Sequence, residues 1–249
     1  MTSRLRTAGL VGPLIMTLVG LAVLLSLGAW QLQRKVWKEA LIEKLAARAV
    51  ATPVTVDEAA MRARSGEEIE YLRVSARGKF LHNKERYFYA PDPALGSGVN
   101  IYTPLELSGG DGVVFVNRGF VPDALKDQSK RASGLPRDDV EITGLVRMPS
   151  DRQRFVPENN EAANLWYWRD LNAMAESTLA TGQAHLPFFV DAEAKAEPAD
   201  VWPKGGATLS KLSNRHFEYA LTWFGLAATL TVIYGAYAMA RLRATKSDV

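Results

Sequence analysis

Two apolar runs, one at each end, constrain this chain more than any other feature. Between Arg6 and Arg34 no residue can ionise, and between Glu218 and Arg241 no residue is charged. The stretches Ala8–Ala29 and Tyr219–Ala240 are rich in Leu, Val, Gly and Ala. At 1.5 Å per residue each reaches about 33 Å as a helix, enough to cross a bilayer, whereas a signal-peptide core would be shorter. The sequence therefore predicts a membrane α+β protein: a two-helix transmembrane hairpin carrying one domain between its arms. The expected divisions are a tail over 1–7, a first span over 8–29, a domain over 30–213, an interfacial entry and second span over 214–240, and a tail over 241–249. A mean hydropathy of -0.09 hides this, because a polar middle offsets two apolar ends.

Charge leaves the side of the membrane open. Arg4 and Arg6 precede the first run, but Arg34, Lys35 and Lys38 follow it. Arg241, Arg243 and Lys246 favour a cytoplasmic C-terminus and hence an extracytoplasmic domain. The first tail is too short for a mitochondrial transit peptide, so a bacterial inner-membrane protein or a processed chain is expected.

Composition removes several functions. There is no cysteine, which excludes disulfides, thiolate metal sites and thiol redox motifs. A net charge of +3, with basic and acidic residues interspersed, argues against nucleic-acid binding. No Walker loop, dinucleotide fingerprint, metalloprotease helix or nucleophile elbow occurs, and no nucleophile, base and orienter set stands out, so no enzymatic activity is expected.

In the middle, Trp30, Arg34, Trp37, Leu41 and Leu45 recur every three or four residues, extending the first helix as an amphipathic stretch to about Ala49, with Pro53 beyond its end. A short helix is expected over Val56–Arg64, with Asp57 near its start. The period then falls to two. Leu72–Leu81 and Glu85–Ala90 read as a hairpin turned at His82-Asn83-Lys84, and Ile101–Leu107 with Val113–Val121 as a second around Ser108–Gly112. Val140–Val146 and Leu186–Val190 add strands, Arg169–Ala175 a helix, and 123–139 and 192–206 loops. A mostly antiparallel sheet or small barrel follows, since no long helices separate the strands. Arg118, between Asn117 and Gly119, reads as an edge-strand charge reaching out of a bulge. His82 reads as a solvated turn residue and His185 as equally bland.

The entry to the last run, Asn214-Arg215-His216 followed by Tyr219–Phe224, carries the functional signal. Seven residues turn through 700°, about 20° short of two turns, so Trp223 lies about 10 Å along the same stripe as His216. Ala220 and Ala227 share it. Small residues between two aromatics suggest a slot for a flat apolar molecule, with an imidazole at its mouth. The alternative is that His216 anchors the helix at the headgroup level and Trp223 faces lipid or packs on the other helix. Ala227, Thr231 and Gly235 offer a close-packing face, with Gly12, Gly20 and Gly28 as its match.

These marks resemble the surfeit locus protein 1 family of assembly factors for cytochrome c oxidase. The marks are Gly28-Ala29-Trp30-Gln31-Leu32 with Arg34, Trp37 and Lys38, then Val116–Pro122, Gly144–Arg147, and the entry from Asn214 to Phe224. Phe120, where many relatives carry tryptophan, and Ser213, where proline is frequent, depart from the pattern. The resemblance implies a periplasmic domain on the bacterial inner membrane, heme a as the bound group and oxidase subunit I as partner, with heme a synthase a further candidate partner. It implies a ligand role for His216, the single metal-binding residue expected, and a pocket role for Trp223. Arg215, with Arg34 and Lys38 as alternates, is the candidate partner for a propionate. A scaffold for an oxidase intermediate with no heme of its own is the rival reading.

Overall fold

The structure, a computed structural model, describes residues 9–92, 94–109, 112–195, 198, 200–206 and 214–247. The expected tail over 1–7, the turn residues Gly110 and Asp111, and Ser213 lie outside the described residues. The chain divides into two compact units, one of Met1–Glu43 with Ser213–Val249 and the other of Lys44–Leu212.

The first unit is built from two helices, α1 (Val11–Val50, up to Glu43) and α4 (His216–Ser247). They run antiparallel: Lys35 meets Asn214, Gln31 meets His216, Gly28 faces Phe224, and Gly20 faces Leu230. The less exposed positions of α1 recur at alternating steps of three and four from Leu14 to Lys38, and those of α4 do so from His216 to Tyr234. That spacing places one seam between two helices in coiled-coil fashion. The outer faces carry Ile15, Met16, Val19, Val232 and Ile233, all more than half exposed. In the most apolar window of each helix only 6% of residues are buried, the reverse of a soluble core helix. Both helices are long and apolar enough to cross a membrane.

The expected packing of small residues is realised only in part. Gly20 and Gly28 do lie on the seam, but against the side chains of Leu230 and Phe224. Gly12 and Gly235 have nothing within 4 Å of an added β-carbon, and Thr231 is exposed. The seam follows the positions of Ala220 and Ala227 and then Leu230 and Tyr234, one residue off the predicted stripe at its far end.

The second unit is β-rich. Its strands are β1 (Val54–Thr55), β2 (Arg73–Phe80), β3 (Arg86–Tyr89), β4 (Gly98–Leu107), β5 (Val113–Pro122), β6 (Val140–Arg147), β7 (Leu165–Trp166) and β8 (His185–Ala192). The order is β1-β2-β6-β8-β5-β4-β3-β7, with β2 also paired to β4. That extra pairing closes β2, β6, β8, β5 and β4 into a barrel-like sheet. Inward residues such as Val74, Leu105, Val116, Ile142 and Phe188 form one core, capped by α2 (Val56–Arg64) through Val56, Ala59 and Ala60. A second core holds Phe88, Tyr102, Phe115, Phe189 and Trp166 beneath α3 (Leu171–Thr178).

Three expectations change here. β2 and β3 form no hairpin with each other; both pair with β4, β2 at Phe80↔Leu105 and β3 at Arg86↔Tyr102, joined by a 3-10 turn at His82–Lys84. The reason lies at Gly78, where a β-carbon would stand 2.0 Å from the Glu106 carbonyl oxygen; only glycine lets β2 reach β4. β5 and β8 pair in parallel, Val116↔Val190, with β6 and α3 lying between them in sequence. The third helix starts at Leu171, two residues later than expected, because the Asp170 carboxylate accepts from the Ala173 N–H and caps it. Thr55 caps α2 in the same way, accepting from the Glu58 N–H at 3.2 Å.

Candidate functional site

His216 is the first residue of α4 and stands half-buried on the seam. Asn214 makes the helix begin there: its Oδ1 accepts from the His216 backbone N–H at 3.3 Å, and its Nδ2 donates to the Lys35 carbonyl at 3.4 Å. The imidazole is itself held from α1. Its Nδ1 lies 2.7 Å from Gln31 Oε1, and Nε2 makes no hydrogen bond among the described residues. The predicted ligand therefore sits in a defined orientation with one ring nitrogen open.

The slot expected between His216 and Trp223 is closed. Ala220 is 1% exposed and Ala227 4%, both packed into the helix seam, while Trp223 is half-buried. Small residues on this stripe admit the neighbouring helix instead of leaving a recess. The single-donor part of the predicted heme site thus fits this structure, and the Ala220–Ala227 porphyrin wall does not.

The basic residues lie around the same end of the hairpin. Arg215 forms an exposed pair with Glu218, Nη2 to Oε2 at 2.9 Å. Arg34 stacks its guanidinium 5.6 Å from both the Trp30 and Trp37 ring centroids. Lys38 is half-buried on the α1 seam, and Lys35 pairs with Glu39 at 2.9 Å. An exposed pair such as Arg215–Glu218 contributes little, so exchanging Glu218 for another anion costs Arg215 little.

The β-rich unit holds a buried cluster of charged side chains of its own. Glu85, whose side chain is 1% exposed, accepts from Arg131, whose side chain is fully buried, with Nη1 to Oε1 at 3.2 Å. Arg118 lies 3.8 Å from the same carboxylate and 4.6 Å over the Phe80 ring. His82 Nε2 stands 2.8 Å from the Pro136 carbonyl and Nδ1 3.9 Å from Glu85. Burial pushes the Glu85 carboxyl up, but the facing His82 and the Arg131 bonds outweigh it and hold it below its ordinary value.

Arg118 is accordingly no edge-strand charge, and His82 no solvated turn residue. β5 lies between β4 and β8, and the register jump from Ile101↔Gly119 to Tyr102↔Asn117 leaves Arg118 as the extra residue of the predicted bulge. Gly119, at φ +115, supplies the turn of the chain. Asn117 braces it by accepting from the Gly119 N–H at 3.1 Å and donating to Asp191 at 2.9 Å. Asp191 and Glu70 both accept from Arg147, at 3.1 and 3.0 Å. The marks Asn117-Arg118-Gly119 and Arg147 therefore serve the barrel. Sequence reasoning quoted Gln31 only among the family marks, with no role at the site, and gave none to Glu85, Arg131 and Asp191. Only Gln31 carried a signal, as an amide one turn before the basic cluster at the end of an uncharged helix.

Comparison with known proteins settles the family. The SURF1 family matches over residues 18–228, which take in most of α1, the first part of α4 and all the strands of the barrel. Similar proteins include surfeit locus protein 1 of Mus musculus, 36% identical over 227 residues, covering 86% of this chain and 71% of that protein. The Homo sapiens protein of the same name is 36% identical over 223 residues, covering 84% and 71%. A SURF1-like protein of Drosophila melanogaster is 35% identical over 230 residues, covering 86% and 73%. A match of this extent, across both units, means that the chain belongs to the SURF1 family.

Proposed function

We propose that this chain is a non-enzymatic membrane assembly factor for a heme-copper oxidase, which holds heme a through His216 and hands it to oxidase subunit I. The general assembly role follows from the family. The observation that carries the heme reading is the open Nε2 of His216 at the head of an apolar helix, with Arg215, Arg34 and Lys38 nearby on the same pair of helices. An imidazole Nε2 is a common axial ligand of heme iron, and basic side chains suit propionates. When bound, the heme is the cargo; the protein supplies one donor, an aromatic neighbour in Trp223 and cations at the helix ends.

The proposed setting is a bacterial inner membrane, with both helices spanning and the β-rich unit on the periplasmic side. Alkaline phosphatase fused after Lys195 would be active under that topology and inactive under the reverse.

A pyridine-hemochrome assay on detergent-purified protein, co-expressed with heme a biosynthetic enzymes, tests the cargo. Heme a in the wild type, with binding lost or its spectrum shifted in His216→Ala, supports the carrier. The closed Ala220–Ala227 stripe favours the second reading, a heme-free scaffold for an oxidase intermediate. Wild-type protein that co-purifies with subunit I, yet carries no heme from cells that contain heme a, establishes that reading.

A further inference from the structure

We propose that Gln31 is a positioning residue: it selects which nitrogen of His216 is free to bind iron. This rests on the carrier reading above and adds a residue from the other helix to it. A neutral imidazole carries one N–H, on either nitrogen, and the nitrogen without it holds the lone pair that ligates a metal. The Gln31 side-chain oxygen can only accept, so at 2.7 Å it requires the proton on Nδ1. The lone pair is left on Nε2, the nitrogen with no partner among the described residues.

The surrounding contacts hold that choice in place. Asn214 fixes the start of α4 through the His216 backbone and ties it to the Lys35 carbonyl, one turn beyond Gln31 on α1. Gln31 and His216 both lie on the helix seam, half-buried, where water competes poorly for the Nδ1 proton. Histidines that bind metals commonly donate their second N–H to a fixed acceptor, which sets the ring orientation and raises ligand basicity. Gln31 supplies that acceptor here, so the ligand's readiness depends on α1 and α4 remaining docked. A role as polar glue between helices would stabilise the hairpin equally well but would not discriminate between the two ring nitrogens.

The test begins without heme. The chain has three histidines, so protein labelled with 15N-histidine in detergent micelles gives few imidazole signals, and His216→Ala identifies the relevant one. The wild type should show the Nδ1-protonated tautomer, Gln31→Leu a shift towards Nε2 protonation, and Gln31→Glu, which still accepts, the wild-type form. Hemin titration of the same proteins should show Gln31→Leu binding about 10–100-fold more weakly. Gln31→Glu should restore affinity and raise the iron–histidine stretching frequency. Gln31→Asn, which keeps the amide but withdraws it by one methylene, gives a second weakened variant should Gln31→Leu fail to fold.

An Nε2-protonated wild type overturns the proposal. So does a Gln31→Leu protein that binds hemin with wild-type affinity and spectrum, in which case the carrier reading survives alone. Wild-type protein that binds neither hemin nor heme a overturns the carrier reading and, with it, any positioning role for Gln31.

Discussion

Gly28 lies against the ring of Phe224 so closely that a β-carbon at position 28 would stand 2.6 Å from one ring carbon and 2.7 Å from the next. A phenyl ring on a packed helix seam has little freedom to yield, so this contact sets the distance between the two helices. Gly28→Val should loosen the hairpin by about 1–3 kcal/mol, the usual cost of overpacking. Gly12→Ala should cost far less, since nothing lies within 4 Å of the added carbon. Thermal unfolding of the two variants in one detergent checks the contrast; equal midpoints would mean that Gly28 does not set the spacing.

The Glu85–Arg131 pair is the most deeply buried charge pair among the described residues of the β-rich unit. Removing one partner leaves the other charged and desolvated, so Arg131→Met should cost about 3–5 kcal/mol. The double variant Glu85→Leu with Arg131→Met should recover much of that loss. A double-mutant cycle by urea unfolding measures both, and additive losses would contradict the pairing.

The same carboxylate gives a pH dependence. Its folded pKa is lowered, so the unfolded chain binds the proton more tightly. The stabilisation it contributes is complete above the unfolded value, about 4.3, and is lost as pH falls through the lower folded value. The stability difference between wild type and Glu85→Gln should therefore hold constant from neutral pH to about pH 5 and narrow below about pH 4. A difference that grows towards acid would reverse the sign of the assignment.

Gly119 combines a left-handed backbone, φ +115, with a carbonyl of Lys204 that would stand 1.9 Å from an added β-carbon. Both ladder hydrogen bonds between Phe120 and Lys204, at 2.9 Å, depend on that approach. Gly119→Ala should cost more than about 2 kcal/mol and should expose amides at Phe120 and Lys204 to hydrogen exchange. Unchanged protection at those amides would show that the chain near Lys204 docks by another route.

The parts of this fold that follow a local period were legible in the sequence. Charge-free runs mark the two helices, and the alternation over Leu72–Leu81, with the apolar strand-like runs Ile101–Leu107, Val113–Val121 and Val140–Val146, marks four barrel strands, because each signal is contained within one element. A small barrel was one of two readings of the strand pattern, but the β2–β4 pairing that closes it was not legible, since it depends on Gly78 meeting Glu106, and no periodicity records which strand a glycine approaches. The parallel pairing of β5 with β8 is hidden for the same reason. At the candidate site His216 and Trp223 were found from one helix, but a single helix cannot reveal that Ala220 and Ala227 are covered by another. Glu85 and Arg131 lie 46 positions apart and meet only in the folded unit.

The β2–β4 pairing also bears on how a partner can hold this protein. Five strands left open would end in two bare edges, β2 and β4, each a template for another chain's backbone. Closure removes both over the paired stretch, and β1 covers Val74 and Ser75 of β2 while β3 covers Val99–Tyr102 of β4. Recognition by adding a strand is thereby denied to partners and to misfolded copies alike along β2 and β4. Whatever this unit recognises through those strands it must read by side chains and loops, which makes its specificity there a matter of sequence.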